Sequence, residues 1–216
     1  MTSDMGGVMR DTGPPRRVRA DAERSTARIL EAAEAVLAVD STASLERIAE
    51  AAGLTRVTIH RRFSSRKALI DALSARLNEQ YLLALKQARA ETAPPAVALH
   101  RLTEMIFELK ISHRFTMDLN SDSLTGRPLL SREAADGLDA LFARLYAAGA
   151  ITSADPAWGR QLYLTLLCEV GGLPEDAPSL NSAGNDPSDK AGARTDLLVT
   201  TVIGALGGRN GRATAE

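Results

Sequence analysis

The 216-residue sequence predicts an all-α protein of about nine helices, a small N-terminal three-helix unit followed by a larger helical domain. Three observations predict it. Apolar residues recur at three- and four-residue spacing along most of the chain, the period of a helix with one buried face. Aromatic residues make up only 4% of the sequence, while Ala and Leu are plentiful, a bias towards helix-on-helix packing and away from sheets. Between the periodic stretches stand Ser, Thr, Asp, Gly and Pro at places where they start and stop helices.

Residues 1–20 carry Gly6, Gly7, Gly13, Pro14 and Pro15 among scattered Arg, and are expected to form a flexible basic arm. The first helix is expected over roughly 24–39, with Ile29, Leu30, Ala33, Val36 and Leu37 in one stripe. A short second helix follows Ser44, whose hydroxyl can cap the first turn, and buries Leu45, Ile48, Ala49 and Ala52. Gly53 stands where a helix ends on a left-handed residue, and Thr55 caps a third helix two residues later. Ser64 and Ser65 interrupt again, and a long fourth helix runs over roughly 66–90 through Leu69, Ile70, Leu73, Leu77, Leu82 and Leu85. Pro94-Pro95 marks the next junction.

Beyond it, a helix is expected over 96–112, then an irregular stretch over 113–130 with room for a short helix. Another helix spans about 131–148, and Asp155-Pro156 opens one over about 156–170, an N-cap followed by proline at the first helical position. Residues 171–193 are rich in Gly, Pro, Asn, Ser and Asp and read as a mobile loop, before a last apolar helix over about 194–207. The organisation expected is therefore an arm over 1–20, a three-helix unit over 21–67, a larger helical domain over 68–207, and a disordered tail over 208–216.

The net charge of −1 hides an asymmetry. Residues 1–70 hold 12 Lys and Arg against 9 Asp and Glu, a net of +3; residues 71–216 hold 14 against 18, a net of −4. From Leu54 to Lys67 stand Arg56, Arg61, Arg62, Arg66 and Lys67 with no acid between them. A polyanion is the natural partner of such a stretch. The single cysteine, Cys168, excludes an intramolecular disulfide and suits a reducing compartment. No stretch is apolar over the length needed to cross a bilayer, and the N-terminal arginines lead into no apolar signal segment, so a cytoplasmic protein without membrane contact is expected. Catalysis is not expected. His100, His113 and Cys168 have neither metal-ligand spacing nor a dyad context, and there is no phosphate-binding loop, so no catalytic residue, metal or cofactor is assigned.

The second helix, the Gly53 turn and the third helix have the dimensions of a helix-turn-helix that lays its second helix in the major groove. In the third helix Val57 and Phe63, with Ile59 beside them, are expected to face inward. Arg56, Thr58, His60, Arg61 and Arg62 then face out, where Arg and Thr reach base edges and thymine methyl groups. The run Ser44-Leu45-Glu46-Arg47-Ile48-Ala49-Glu50-Ala51-Ala52-Gly53-Leu54-Thr55-Arg56-Val57-Thr58-Ile59-His60-Arg61-Arg62-Phe63-Ser64-Ser65-Arg66-Lys67-Ala68-Leu69 resembles the DNA-binding signature of the TetR family of transcriptional regulators. Such proteins show a Thr or Ser, then Ile-Ala, Ala-Gly-Val-Ser, Thr-Leu/Ile-Tyr, a Phe, and a Lys before a Leu. Two positions depart from that pattern: His60 replaces the usual Tyr, and Arg66 replaces the usual Lys.

The resemblance implies that Ser44 and Arg66 contact phosphates and that Thr55, Arg56, Thr58, His60 and Arg61 face the groove. Lys67 adds a further cation at the same edge. His60 is shorter than Tyr and its charge depends on pH, which leaves its contact open. Arg62 is open between a DNA contact and a solvated or intrachain ion-paired side chain, and the arm between a minor-groove contact and a plain disordered terminus. The resemblance further implies a homodimer on a palindromic double-stranded operator, paired through the last two long helices. Candidate interface residues are Leu162, Leu166, Val170, Leu198, Val202 and Leu206. It also implies a cavity for an unknown small hydrophobic effector, with His100, Met105, Phe107, His113, Phe115, Met117, Phe142, Tyr146 and Trp158 as candidate walls and the fourth helix as the lever. The function implied is a repressor released by that effector. The alternative is a helix-turn-helix protein acting as an activator, or through protein contacts without an inducer.

Overall fold

A computed structural model of the chain describes residues 16–121, 128–180 and 190–208, with the side chains at 16–19, 111 and 190 left aside. Among these residues the chain forms nine α-helices and one short 3-10 turn. Of the expected arm only its last residues are described, and these open the first helix. Residues 1–15 and 209–216, the tail, lie outside the described residues, as do 122–127 and 181–189 of the two expected loops.

Contacts divide the chain into two compact units, broken between Arg66 and Lys67. In the first, α1 (Arg16–Val39) packs on α2 (Leu45–Ala51), and α2 on α3 (Arg56–Arg62). Helix α1 begins eight residues before the expected start at Arg24. The cause is local: after Pro15 the sequence turns to Arg, Ala, Asp and Glu, with no Gly or Pro to oppose helix, so propensity carries the helix back to the prolines. Ile29, Leu30, Ala33 and Leu37 of α1 meet Leu45, Ile48, Ala49 and Ala52, with Ile59 and Phe63 also buried. An exposed Val39 and then Asp40, whose carboxylate accepts from the Thr42 amide at 3.0 Å, close α1.

In the second unit α4 (Arg66–Gln87), α5 (Pro95–Ser112), α6 (Arg114–Leu119), α7 (Arg132–Ala147), α8 (Pro156–Gly172) and α9 (Lys190–Ala205) build one apolar core. Helix α5 packs on α9 and α7, and α8 lies against α7 and α9. The stretch expected to be irregular contains α6, whose end is tied by Asn120 Nδ2 donating to Ser74 Oγ at 2.9 Å. The expected loop over 171–193 is shorter than its composition suggested. Helix α8 continues through Gly172, a turn forms at Pro178–Leu180, and α9 starts at Lys190, since Lys190-Ala191 and Ala193-Arg194 favour helix more than the single Gly192 opposes it. Asp155 caps α8 as expected, its carboxylate accepting from the amides of Ala157 and Trp158.

Close packing between α7 and α8 depends on a missing side chain. A Cβ at Gly159 would stand 2.7 Å from Phe142 Cδ1, so only glycine lets that ring lie on the α8 backbone. Phe142 then meets Tyr163 in a tilted pair with ring centroids 6.1 Å apart. The Tyr163 hydroxyl sits 3.2 Å from Thr103 Oγ1, and burial pushes its pKa up to about 12. It is a neutral core residue.

Candidate nucleic-acid interface

The turn between α2 and α3 is closed by its backbone. Gly53 has φ +62°, its amide donates to Glu50 O at 2.9 Å, and the Leu54 amide donates back to Ala49 O at 2.9 Å. These two bonds wrap the last carbonyls of α2 as a left-handed glycine ending requires. Arg28 of α1 adds a third, Nη2 donating to Ala52 O at 2.6 Å. Sequence reasoning missed this cap, because a contact 24 residues away leaves no local pattern.

Both expected N-caps are present. Ser44 Oγ accepts from the Arg47 amide at 3.3 Å, and Thr55 Oγ1 accepts from the Thr58 amide at 3.2 Å. The Thr58 hydroxyl lies 2.9 Å from Thr55 Oγ1, so both threonines are engaged at the start of α3. Each cap hydroxyl remains on an exposed residue, which leaves Ser44 and Thr55 accessible from solution.

Helix α3 turns a different face inward from the one expected. Ile59 is fully buried and Phe63 is 6% exposed, but Val57 is 75% exposed. The correction follows from helix geometry. At about 100° per residue, Phe63 lies about 40° from Ile59, whereas Val57 lies about 200° away on the opposite side. A branched apolar residue next to other apolar residues was read as core by type, against its angle.

Two of the expected groove residues share one acid. Glu46 Oε1 of α2 lies 3.1 Å from Arg56 Nε and 3.0 Å from His60 Nε2. The hydrogen bond from His60, with the Arg56 charge beside it, lowers the Glu46 pKa to about 2. Glu46 was not among the expected site residues; its one readable sign was an acid in the first turn of the supporting helix. Arg61 is exposed and forms no ion pair among the described residues. Arg62 is half-buried, its Nε without a hydrogen bond, so the intrachain ion pair held open for it is not seen among the described residues. Arg66 is also half-buried and donates to the Ser41 carbonyl, which commits part of its guanidinium to the loop after α1. Lys67 is paired with Asp71 at 2.7 Å, one helical turn on.

The second unit holds an apolar cavity of about 30 Å³ whose walls include Tyr81, Leu102, Ile106, Leu138, Tyr163 and Leu167. None of the nine expected wall residues lines it. Phe107, Met117 and Phe142 are buried in the core, His100 pairs with Asp196 at 2.9 Å, and Tyr146 and Trp158 are about half exposed. Phe115 is half-buried and stands away from the cavity wall. Met105 and His113 border a separate, more polar groove between α4 and α5, and Phe107 also touches a surface cleft with Lys110 and Arg114. The expectation chose aromatic and sulfur side chains by type, while the wall is made of Leu, Ile and Tyr set by the phase of each helix. Of the expected interface residues, Val170, Leu198, Val202 and Leu206 are buried within this unit's own core. Leu162 and Leu166 are half-buried, and with exposed Trp158 they form an i, i+4, i+8 stripe along α8.

Residues 29–73 match the profile of bacterial regulatory proteins, tetR family. A curated relative, the HTH-type transcriptional repressor LfrR of Mycolicibacterium smegmatis, is 38% identical over 87 residues. Those residues cover 40% of this chain and 46% of the relative, so the match spans less than half of that protein. Among solved structures, the TetR-like regulator LfrR from Mycobacterium smegmatis in complex with proflavine aligns over 90% of this chain and 99% of its own, with 24% identity and a TM-score of 0.54. The TetR family regulator PfmR from Thermus thermophilus aligns over 80% and 97%, with 20% identity and a TM-score of 0.57. RolR, in complex with resorcinol, aligns over 92% and 98% at 15% identity, with a TM-score of 0.54. At these identities the structural likeness establishes the fold.

Proposed function

We propose that the chain, whose residues 29–73 match the profile of the tetR family of bacterial regulatory proteins, is a transcriptional repressor of that family that binds a palindromic operator as a homodimer and leaves it when a small apolar effector binds. The observation that carries the reading is α3 itself. It is a short capped helix held by Ile59 and Phe63, with Arg56, His60 and Arg61 exposed and no acid of its own. Such a rod fits the major groove, and its cations supply the attraction to phosphate that precedes any reading of bases. One helix makes too few contacts for useful affinity, so two copies are needed, with half-sites about one DNA turn (~34 Å) apart.

The stripe Trp158, Leu162, Leu166 on α8 offers the second copy an apolar surface that the protomer's own core leaves half uncovered. The effector site is the apolar cavity of the second unit. At about 30 Å³ it admits a few water molecules, far below the roughly 300 Å³ and more of typical ligand pockets. An effector therefore opens the site as it binds, and planar aromatic compounds, the class seen with LfrR and RolR, are the first to test.

The test is selection of bound duplexes from a random pool, followed by anisotropy titration with and without such compounds. A palindromic consensus whose binding weakens as a planar aromatic is added is the expected result. Ala134→Leu, which fills the cavity wall, should keep operator affinity and lose the response. No enrichment of any sequence by the folded protein would overturn the reading.

A further inference from the structure

We propose that Val57 is a specificity residue that packs on the methyl group of a thymine in the major groove, with Arg61 reading a guanine one or two base pairs away. The inference rests on the DNA-binding reading above and adds which bases are read and by what chemistry.

Three observations converge on the outer ridge of α3. The first is direction. Ile59 points into the core, so Val57, two residues before it, and Arg61, two residues after it, both lie about 200° from the buried side. They are an i, i+4 pair, about 6 Å apart along the helix axis, and they form the edge that enters a groove first.

The second is that folding does not explain Val57. It is 75% exposed, so it buries little within its unit. A β-branched side chain is also a weak helix former, since it loses rotamer freedom against the preceding turn. An exposed position chosen for helix stability alone would carry Ala, Glu, Lys or Arg. Valine there leaves an apolar group free to meet something outside the fold.

The third is that the polar neighbours are already engaged. Arg56 and His60 are drawn towards α2 by Glu46, and the Thr58 hydroxyl is held by Thr55. The central edge is left with one branched apolar group and one guanidinium that has no ion pair among the described residues. In the major groove the apolar feature is the thymine C5-methyl, and the double acceptor that suits a guanidinium is guanine O6 and N7. A separation of about 6 Å against a base-pair rise of ~3.4 Å places the two contacts one or two steps apart.

The experiment uses the full chain and the duplex enriched from a random pool. Each thymine of the half-site is replaced in turn by deoxyuridine, which removes the methyl group and leaves every hydrogen-bonding atom in place. One position should weaken binding by about fourfold per half-site, the worth of one buried methyl group. Val57→Ala should bind the thymine duplex as weakly as the native protein binds the uracil duplex, and uracil at that position should then cost nothing more. Its salt dependence should be unchanged, because no phosphate contact is lost. Val57→Thr, which keeps one methyl group, should fall between. The inference is overturned if Val57→Ala keeps native affinity, or if it binds weakly yet still suffers the uracil penalty. If no duplex is enriched, the DNA-binding reading has failed and this one with it; enrichment with no uracil-sensitive position defeats this one alone.

Discussion

Among the described residues Glu46 is the acid paired with the reader face, and its removal makes the sharpest test of how that face is tuned. In the free protein its carboxylate holds Arg56 at 3.1 Å and His60 at 3.0 Å. Glu46→Gln keeps the size and a hydrogen-bond acceptor while removing the charge. Each protomer then has one released guanidinium to present to DNA, and the proposed dimer has two. Each extra phosphate neutralised steepens the fall of log K with log salt by about 0.9, so the slope should steepen by about 1.8. Between about 200 and 50 mM salt, a roughly fourfold change, the variant's gain over the native protein should grow by about 12-fold. The gain should be largest on random duplexes, because a freed cation attracts phosphate without reading bases, so the ratio of operator to random affinity should fall. Anisotropy titrations of both duplexes across that salt range measure all three quantities. At neutral pH folding should weaken by only a small, resolvable amount, since exposed ion pairs contribute little. A slope identical to that of the native protein would show that Arg56 does not reach DNA when released, and would remove Glu46 from the account.

Three further outcomes follow from the geometry. Gly53→Ala places a Cβ at φ +62° and 3.0 Å from Arg28 Nη2, so it should lower stability by about 1–2 kcal/mol in denaturant unfolding and disturb the cap that Arg28 makes on α2. Gly159→Ala drives a methyl group to 2.7 Å from Phe142 Cδ1 and should cost about 1–3 kcal/mol, while DNA affinity measured well below the melting temperature stays native. The third concerns acid. The folded-state pKa of Glu46 is lowered from 4.5 to about 2, so its stabilising contribution is fully present above pH 4.5 and is lost as pH falls towards 2; thermal unfolding followed by circular dichroism should show Glu46→Gln converging on the native protein across that window.

The chain's local chemistry was legible from its sequence, and its phases were not. Ser44, Thr55 and Asp155 act as N-caps because each carries a short side-chain oxygen on an extended residue just before a helix, where it can satisfy the first free amides. Gly53 ends α2 for an equally local reason, since only a residue tolerant of positive φ closes that turn. The errors lie where a face had to be chosen. Val57 was placed inward although Ile59 and Phe63 already fixed the buried side. Leu198, Val202 and Leu206 were assigned to a partner copy although the protomer's own core takes them. A helix apolar around most of its girth does not declare which side meets which neighbour, because that depends on contacts from segments far along the chain. Arg28 on Ala52, 24 residues apart, and Glu46 on His60, 14 apart, belong to the same class.

For the proposed release by an apolar effector, the small cavity sharpens the energetics. A ligand shifts an equilibrium only by the difference in its affinity for the two states, and moving an operator-bound population from about 99:1 to 1:99 takes about 10⁴-fold preference. A cavity of about 30 Å³ gives an effector almost no hold on the closed state, so nearly all of its contacts are made in the opened one. A small preformed site thus favours a strong switch, at the cost of affinity spent on opening. The tilted Phe142–Tyr163 pair and the Tyr163–Thr103 contact border the walls that would part in the proposed opening. Enlarging the site by Leu138→Ala should then tighten effector binding and reduce its discrimination between operator-bound and free protein together. If both rose, opening would not be the step on which release depends.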